Sequence, residues 1–176
     1  ATEKFYAVGM QSIWETNFVP DAKDVRVRDD LYVKGSEVGM VQFESSKNAL
    51  IGHVADWPTG RYHKAHYHGA GAVIIILKSE GYTLLWPKET GTQPYATGRG
   101  DAVVELRWRE GSVLSPPNGW FHQHFNVGKE AARAALRVVP PRAAVGRDPV
   151  LAGEHVDRSD LAVLAGLGQP DDDRVL

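Results

Sequence analysis

Short runs of β-branched, aromatic and aliphatic residues, each cut off by glycine, proline or a polar turn, occupy most of the chain between residues 31 and 139. The runs are 31–33, 38–43, 50–57, 61–68, 72–77 and 82–86, followed after a break by 102–108, 112–115, 120–126 and 131–139. Gly35-Ser36, residues 45–48, 58–60 and 69–71, and Gly81 separate them. These lengths suit strands rather than helices. The break itself, Pro87 to Asp101, contains Pro87, Gly91, Pro94, Gly98 and Gly100 and predicts a long loop. Many short strands joined by such turns predict an all-β sandwich or barrel of the jelly-roll kind.

The flanks follow different patterns. Residues 1–30 mix Phe5, Tyr6, Trp14 and Phe18 with charges and show no sustained period, which predicts an N-terminal arm. Trp14 and Phe18 must then bury on their own barrel or on a neighbouring subunit. Pro140-Pro141 cannot extend a central ladder, so the barrel spans 31–141. Residues 142–176 form a C-terminal tail with one short helix, capped by Ser159 and stopped by Gly166.

Composition narrows the function classes. At 176 residues the chain has room for one core, and 43% hydrophobic with 24% charged residues is ordinary for a globular protein. A net charge of -2 with a sequence pI near 6.4 gives no basic field, which argues against nucleic acid and anionic membrane as partners. There is no cysteine, so disulfides, thiolate sites and cysteine nucleophiles are absent and any metal must take N and O ligands. The longest apolar run, Ala72 to Leu77, is too short to span a membrane, and no signal sequence opens the chain; a cytoplasmic protein is expected.

Chemistry concentrates in two stretches, Gly60 to His68 and Gly111 to Asn126. In extended strands His66 and His68 share a face, as do His122 and His124, and two such pairs on facing strands would converge imidazoles on one cavity. Neutral imidazole ligates zinc, copper, iron and nickel. By the same parity Tyr62 and Lys64 join His66, so that one of them reaches the cavity mouth as a proton donor or an anion contact, with Tyr62 the catalytic candidate. His63 faces outward unless a bulge intervenes. His53 reads as a core or surface histidine, and His155 falls in the tail. Trp86, Trp108, Trp120, Phe121 and Phe125 either line an apolar pocket or fill the core.

These motifs resemble those of the cupins. Gly60, His66, His68 and, loosely, Gly81 fit the family's first motif; Gly111, Pro117, Gly119, His122 and Asn126 fit its second without a gap. The resemblance covers roughly residues 50 to 140. It implies a small jelly-roll barrel holding one divalent metal at His66, His68 and His122. One departure matters. The first motif's glutamate would fall at Ala72, Val73 or Ile74, all aliphatic, and neither Glu80 in a turn nor Glu105 beside Arg107 replaces it. Three-histidine cupins resemble Fe(II) dioxygenases, so the resemblance implies an oxidoreductase that cleaves a small organic substrate with O₂.

Other readings remain open at this stage. A lyase, decarboxylase or isomerase would use Zn, Mn, Ni or Cu as a Lewis acid, and a non-enzymatic barrel would bind a small molecule in the same pocket. His124 is a fourth ligand in the vacated glutamate position, a catalytic base, or a core histidine. A homodimer is the family expectation, with the arm as an exchanged element.

Overall fold

Burial alternates most cleanly in Ala72–Lys78, where Ala72, Ile74 and Ile76 are buried while Val73 and Ile75 face water. This is the signature of a sheet with one face on a core. The structure, a computed structural model, describes residues 4–8, 11–27, 37–45, 50–67 and 72–138, with the backbone alone for 4–8, 11–12 and 138. The expected strand at 31–33, the site residue His68 and the tail with its short helix lie outside the described residues.

Among the described residues ten strands follow one another: β1 (Lys4–Val8), β2 (Gln11–Glu15), β3 (Gly39–Glu44), β4 (Ile51–Trp57), β5 (Ala72–Lys78), β6 (Glu80–Pro87), β7 (Val104–Arg109), β8 (Val113–Leu114), β9 (Trp120–Asn126) and β10 (Ala132–Val138). They form a seven-stranded sheet in the order β1-β2-β3-β4-β10-β5-β8 and a three-stranded sheet in the order β7-β6-β9. Pairing is antiparallel except between β2 and β3. The two sheets pack face to face as a jelly-roll sandwich. Trp57 of the large sheet meets Trp108 of the small one edge-on, with ring centroids 5.9 Å apart, and both join Ile74, Ile76, Leu114 and Leu136 in the core.

One end of the sandwich is tied shut. Asn126 donates through Nδ2 to the carbonyls of Trp57, at 3.1 Å, and Glu130, at 2.8 Å. Its Oδ1 accepts from Ser79 Oγ and Gly128 N, both at 3.0 Å. At the same end a side chain on Gly81 would put its Cβ 2.0 Å from the Phe125 carbonyl and 2.6 Å from the Trp108 ring, so only glycine fits. These bonds give the second motif's asparagine and the first motif's last glycine structural roles.

Three expectations need correction. Residues 4–8 and 11–15 of the arm are strands that extend the large sheet from its β3 edge; Trp14 there is half-buried, while Phe18 is 67% exposed. Gly81 and Glu80 belong to β6 rather than to a turn; the bend falls at Ser79, which has φ 74°. Residues 61–67 do not form a continuous strand, and this last difference reshapes the site.

Candidate metal centre

Residues 60–67 run antiparallel to β9 but meet it in only two isolated bridges, Tyr62 with Phe125 and His66 with His122. Four positions on one side therefore span three on the other, so one residue is extra. Hydrogen bonds locate it. His63 N donates to the His124 carbonyl at 3.0 Å, still in the Tyr62 register, whereas His66 N and His122 N exchange bonds with each other's carbonyls at 3.2 and 2.9 Å. The insertion falls at Lys64-Ala65, a bulge that reverses the alternation of side chains.

The bulge sorts the histidines and tyrosines. His63 and His66 both turn inward, buried to 2% and 5% exposure, and the His66 and His122 ring centroids lie 4.4 Å apart. The inner side of β9 carries His122 and His124, level with Leu85 and Thr83 of β6. His63 packs edge-on against Trp57 at 4.5 Å and His124 at 5.7 Å. Inward placement of His63 corrects the outward expectation. Tyr62 goes the other way: it stacks on Phe125 at 5.7 Å, within an outer cluster that also holds Ala65, Leu84, Trp86 and Phe121. Because odd positions of β9 point away from His122 and His124, Tyr62 is a packing residue on the outer face and not a catalytic group at the cavity mouth.

Backbone carbonyls set the tautomers of the paired rings. His66 Nδ1 donates to the Lys64 carbonyl at 2.8 Å and His122 Nδ1 to the Trp120 carbonyl at 3.3 Å. A carbonyl only accepts, so the proton sits on Nδ1 in both rings and Nε2 carries the lone pair that a metal needs. The Lys64 carbonyl belongs to the bulge itself. The device that turns His66 inward thus also fixes its protonation.

His124 is held differently. Its Nδ1 lies 2.7 Å from Thr83 Oγ1, which also accepts from Trp108 Nε1 at 3.0 Å. Its ring centroid is 5.5 Å from that of His122. Among the described residues, which include His66, His122 and His124, no group of three His, Asp or Glu side chains is placed to hold a metal ion. His66, His122 and His124 by themselves therefore do not make a three-ligand set. His66 and His122 fit as two ligands of a metal centre, and the remaining sequence candidate is His68.

Comparisons with known proteins bear on the fold. No family model matches the chain, and no curated protein matches it. Solved structures do. The cupin domain of Schizosaccharomyces pombe Cnp3 superposes with a TM-score of 0.50 at 13% identity, covering 79% of this chain and 88% of that one. The fold is that of the cupins. CapF, solved with the inhibitor 3-isopropenyl-tropolone, superposes with a TM-score of 0.50 at 13% identity over 66% of this chain and 31% of that one. An oxalate oxidase in complex with glycolate gives 0.42 at 21% identity over 52% of this chain; the match spans 42% of that chain, less than half its length.

Of the three positions at which the first motif's glutamate would fall, Ala72 and Ile74 point inward from β5, at 5% and 1% exposure, while Val73 faces water. Glu105 and Arg107 pair across 3.3 Å on the exposed face of β7, and Glu80 is exposed, as their sequence context predicted. His53 is buried, at 1% exposure.

Sequence reasoning missed the way in. Val104 and Leu106 align with Leu85 and Thr83 on the inner side of the small sheet, yet they are 39% and 40% exposed, whereas Trp108 on the same side is 4% exposed. Water thus reaches the inner face over the β7 edge, past two aliphatic side chains. Their alternation with Glu105 and Arg107 was visible, but nothing in the sequence marked β7 as an edge.

Proposed function

We propose that the chain is a metal-dependent cupin enzyme whose best-fitting activity is oxygenation of a small organic substrate at a mononuclear Fe(II) centre held by His66, His68 and His122. The observation that carries this reading is the His66–His122 pair, with ring centroids 4.4 Å apart and both Nδ1 protons committed to carbonyls, which makes Nε2 the lone-pair nitrogen of each ring. Bound Fe(II) would supply a Lewis-acidic centre that activates O₂. With neutral imidazoles and an aliphatic residue where a carboxylate would sit, the protein leaves the ion's +2 charge uncompensated, which favours an anionic or chelating substrate.

The chain's own residues supply the rest. His66 and His122 orient the centre through their carbonyl anchors. His124, braced by Thr83 and Trp108, stands next to His122 on the inner face and takes or returns a substrate proton. Val104 and Leu106 select a substrate with an apolar body at the water-exposed β7 edge.

The experiment is oxygen uptake by the Fe(II)-loaded protein with catechol-type and hydroxy-acid substrates. Stoichiometric O₂ consumption is expected for at least one of them. Turnover at an unchanged rate without oxygen would instead assign the site to a lyase, decarboxylase or isomerase that uses the metal as a Lewis acid.

A further inference from the structure

The wall opposite the paired histidines carries a polar group that the fold does not use. Asn126 and Trp57 are tied together at the closed end. His122 precedes Asn126 by four positions on β9, and His53 precedes Trp57 by four on β4. Both strands climb from the same tie at a similar rise, so the row containing His53 lies level with the row containing His122 and His66. Cross-strand pairing extends that row to Gln42 on one side and to Leu136, Ile74 and Leu114 on the other. All of them share the face on which Trp57 meets His63 and His124.

Gln42 is 3% exposed, and its Oε1 has no hydrogen-bond partner. Trp57 Nε1, on the same face, has no acceptor either. A carboxamide oxygen kept from water without a partner costs stability, and the Met or Leu common in sheet cores would avoid that cost. The row around it is otherwise aliphatic apart from His53.

We propose that Gln42 is a substrate-recognition residue whose Oε1 accepts a hydrogen bond from an O–H or N–H on the part of the substrate that points away from the histidine pair. This rests on the reading of the metal centre given above. It narrows the substrate to a molecule with a metal-binding end, an apolar body and a donor group at the far end.

The test uses the full chain in two forms. In the metal-free protein, Gln42→Met should raise Tm by roughly 2–4 °C, because an unsatisfied amide gives way to an apolar side chain of similar length. In the Fe(II)-loaded protein, the wild type should bind 3- or 4-hydroxybenzohydroxamate about tenfold more tightly than benzohydroxamate. Gln42→Met should lose that preference while keeping its metal content and its affinity for benzohydroxamate. A fall in Tm would give Gln42 a structural role and overturn the proposal, as would a preference that survives the substitution. If the wild type takes up no metal, the metal reading falls by itself, and the Tm comparison alone then decides the case of Gln42.

Discussion

His66 donates its Nδ1 proton to the carbonyl of Lys64, two residues earlier, at 2.8 Å. One extra residue in the 62–66 segment thus does two jobs: it turns His63 and His66 inward together and supplies the acceptor that leaves His66 Nε2 free of a proton.

Deleting Lys64 should therefore restore regular alternation and remove His66 from the face of His122, lowering metal affinity by at least about tenfold. Lys64→Ala should leave metal binding unchanged, since only the backbone carbonyl is used. Titration of each variant with Fe(II) under anaerobic conditions reads both outcomes.

How much of this was legible in the sequence depends on local regularity. The strands at 51–57, 72–78 and 120–126 were visible because their apolar runs and turn residues agree, and the glycines and histidines of the two motifs marked the cupin frame. Tyr62 and His63 were misplaced because parity holds only in an unbroken strand, and a bulge at Lys64-Ala65 has no composition of its own. The strands of the arm were missed because they pair at the large sheet's edge and are short; Ile13 is buried among the described side chains of β2, but one buried position sets no period. Gln42 could not be singled out, since its importance comes from the row opposite rather than from its neighbours in the chain.

Thr83 braces His124 and Trp108 through one hydroxyl. Thr83→Val keeps the shape but removes both bonds, and should destabilise the fold by roughly 2 kcal/mol in urea unfolding. Metal content should stay at the wild-type level, because the proposed ligands are His66, His68 and His122. Loss of metal in this variant would mean that His124 belongs to the coordination shell.

Asn126 makes four hydrogen bonds from a site 1% exposed. Asn126→Leu would remove all four bonds at the closed end of the sandwich, leaving the Glu130 carbonyl with Ser79 Oγ alone and the Gly128 N–H with the Glu80 carbonyl alone. The expected cost is about 3 kcal/mol, read as a lower urea midpoint with an unchanged slope.

Burial, and behind it the charge of Glu105, raises the pKa of the Tyr82 phenol above its ordinary value; Tyr95 is raised by the same two causes. The folded state therefore holds these protons more tightly than the unfolded state. Their contribution to stability is complete below the ordinary tyrosine pKa of about 10 and is lost as pH rises through the folded values. Stability should fall with rising pH in that alkaline range, and Tyr82→Phe should flatten the fall when unfolding is followed between pH 9 and 11, a window set at roughly one unit either side of that pKa.

The most direct test of the metal centre is elemental analysis of the full chain after Fe(II) loading and desalting, run beside His66→Ala and His122→Ala. The wild type should hold close to one metal ion per chain, and each variant should lose most of it while remaining folded by circular dichroism. Full metal retention in both variants would contradict a centre built on the His66–His122 pair.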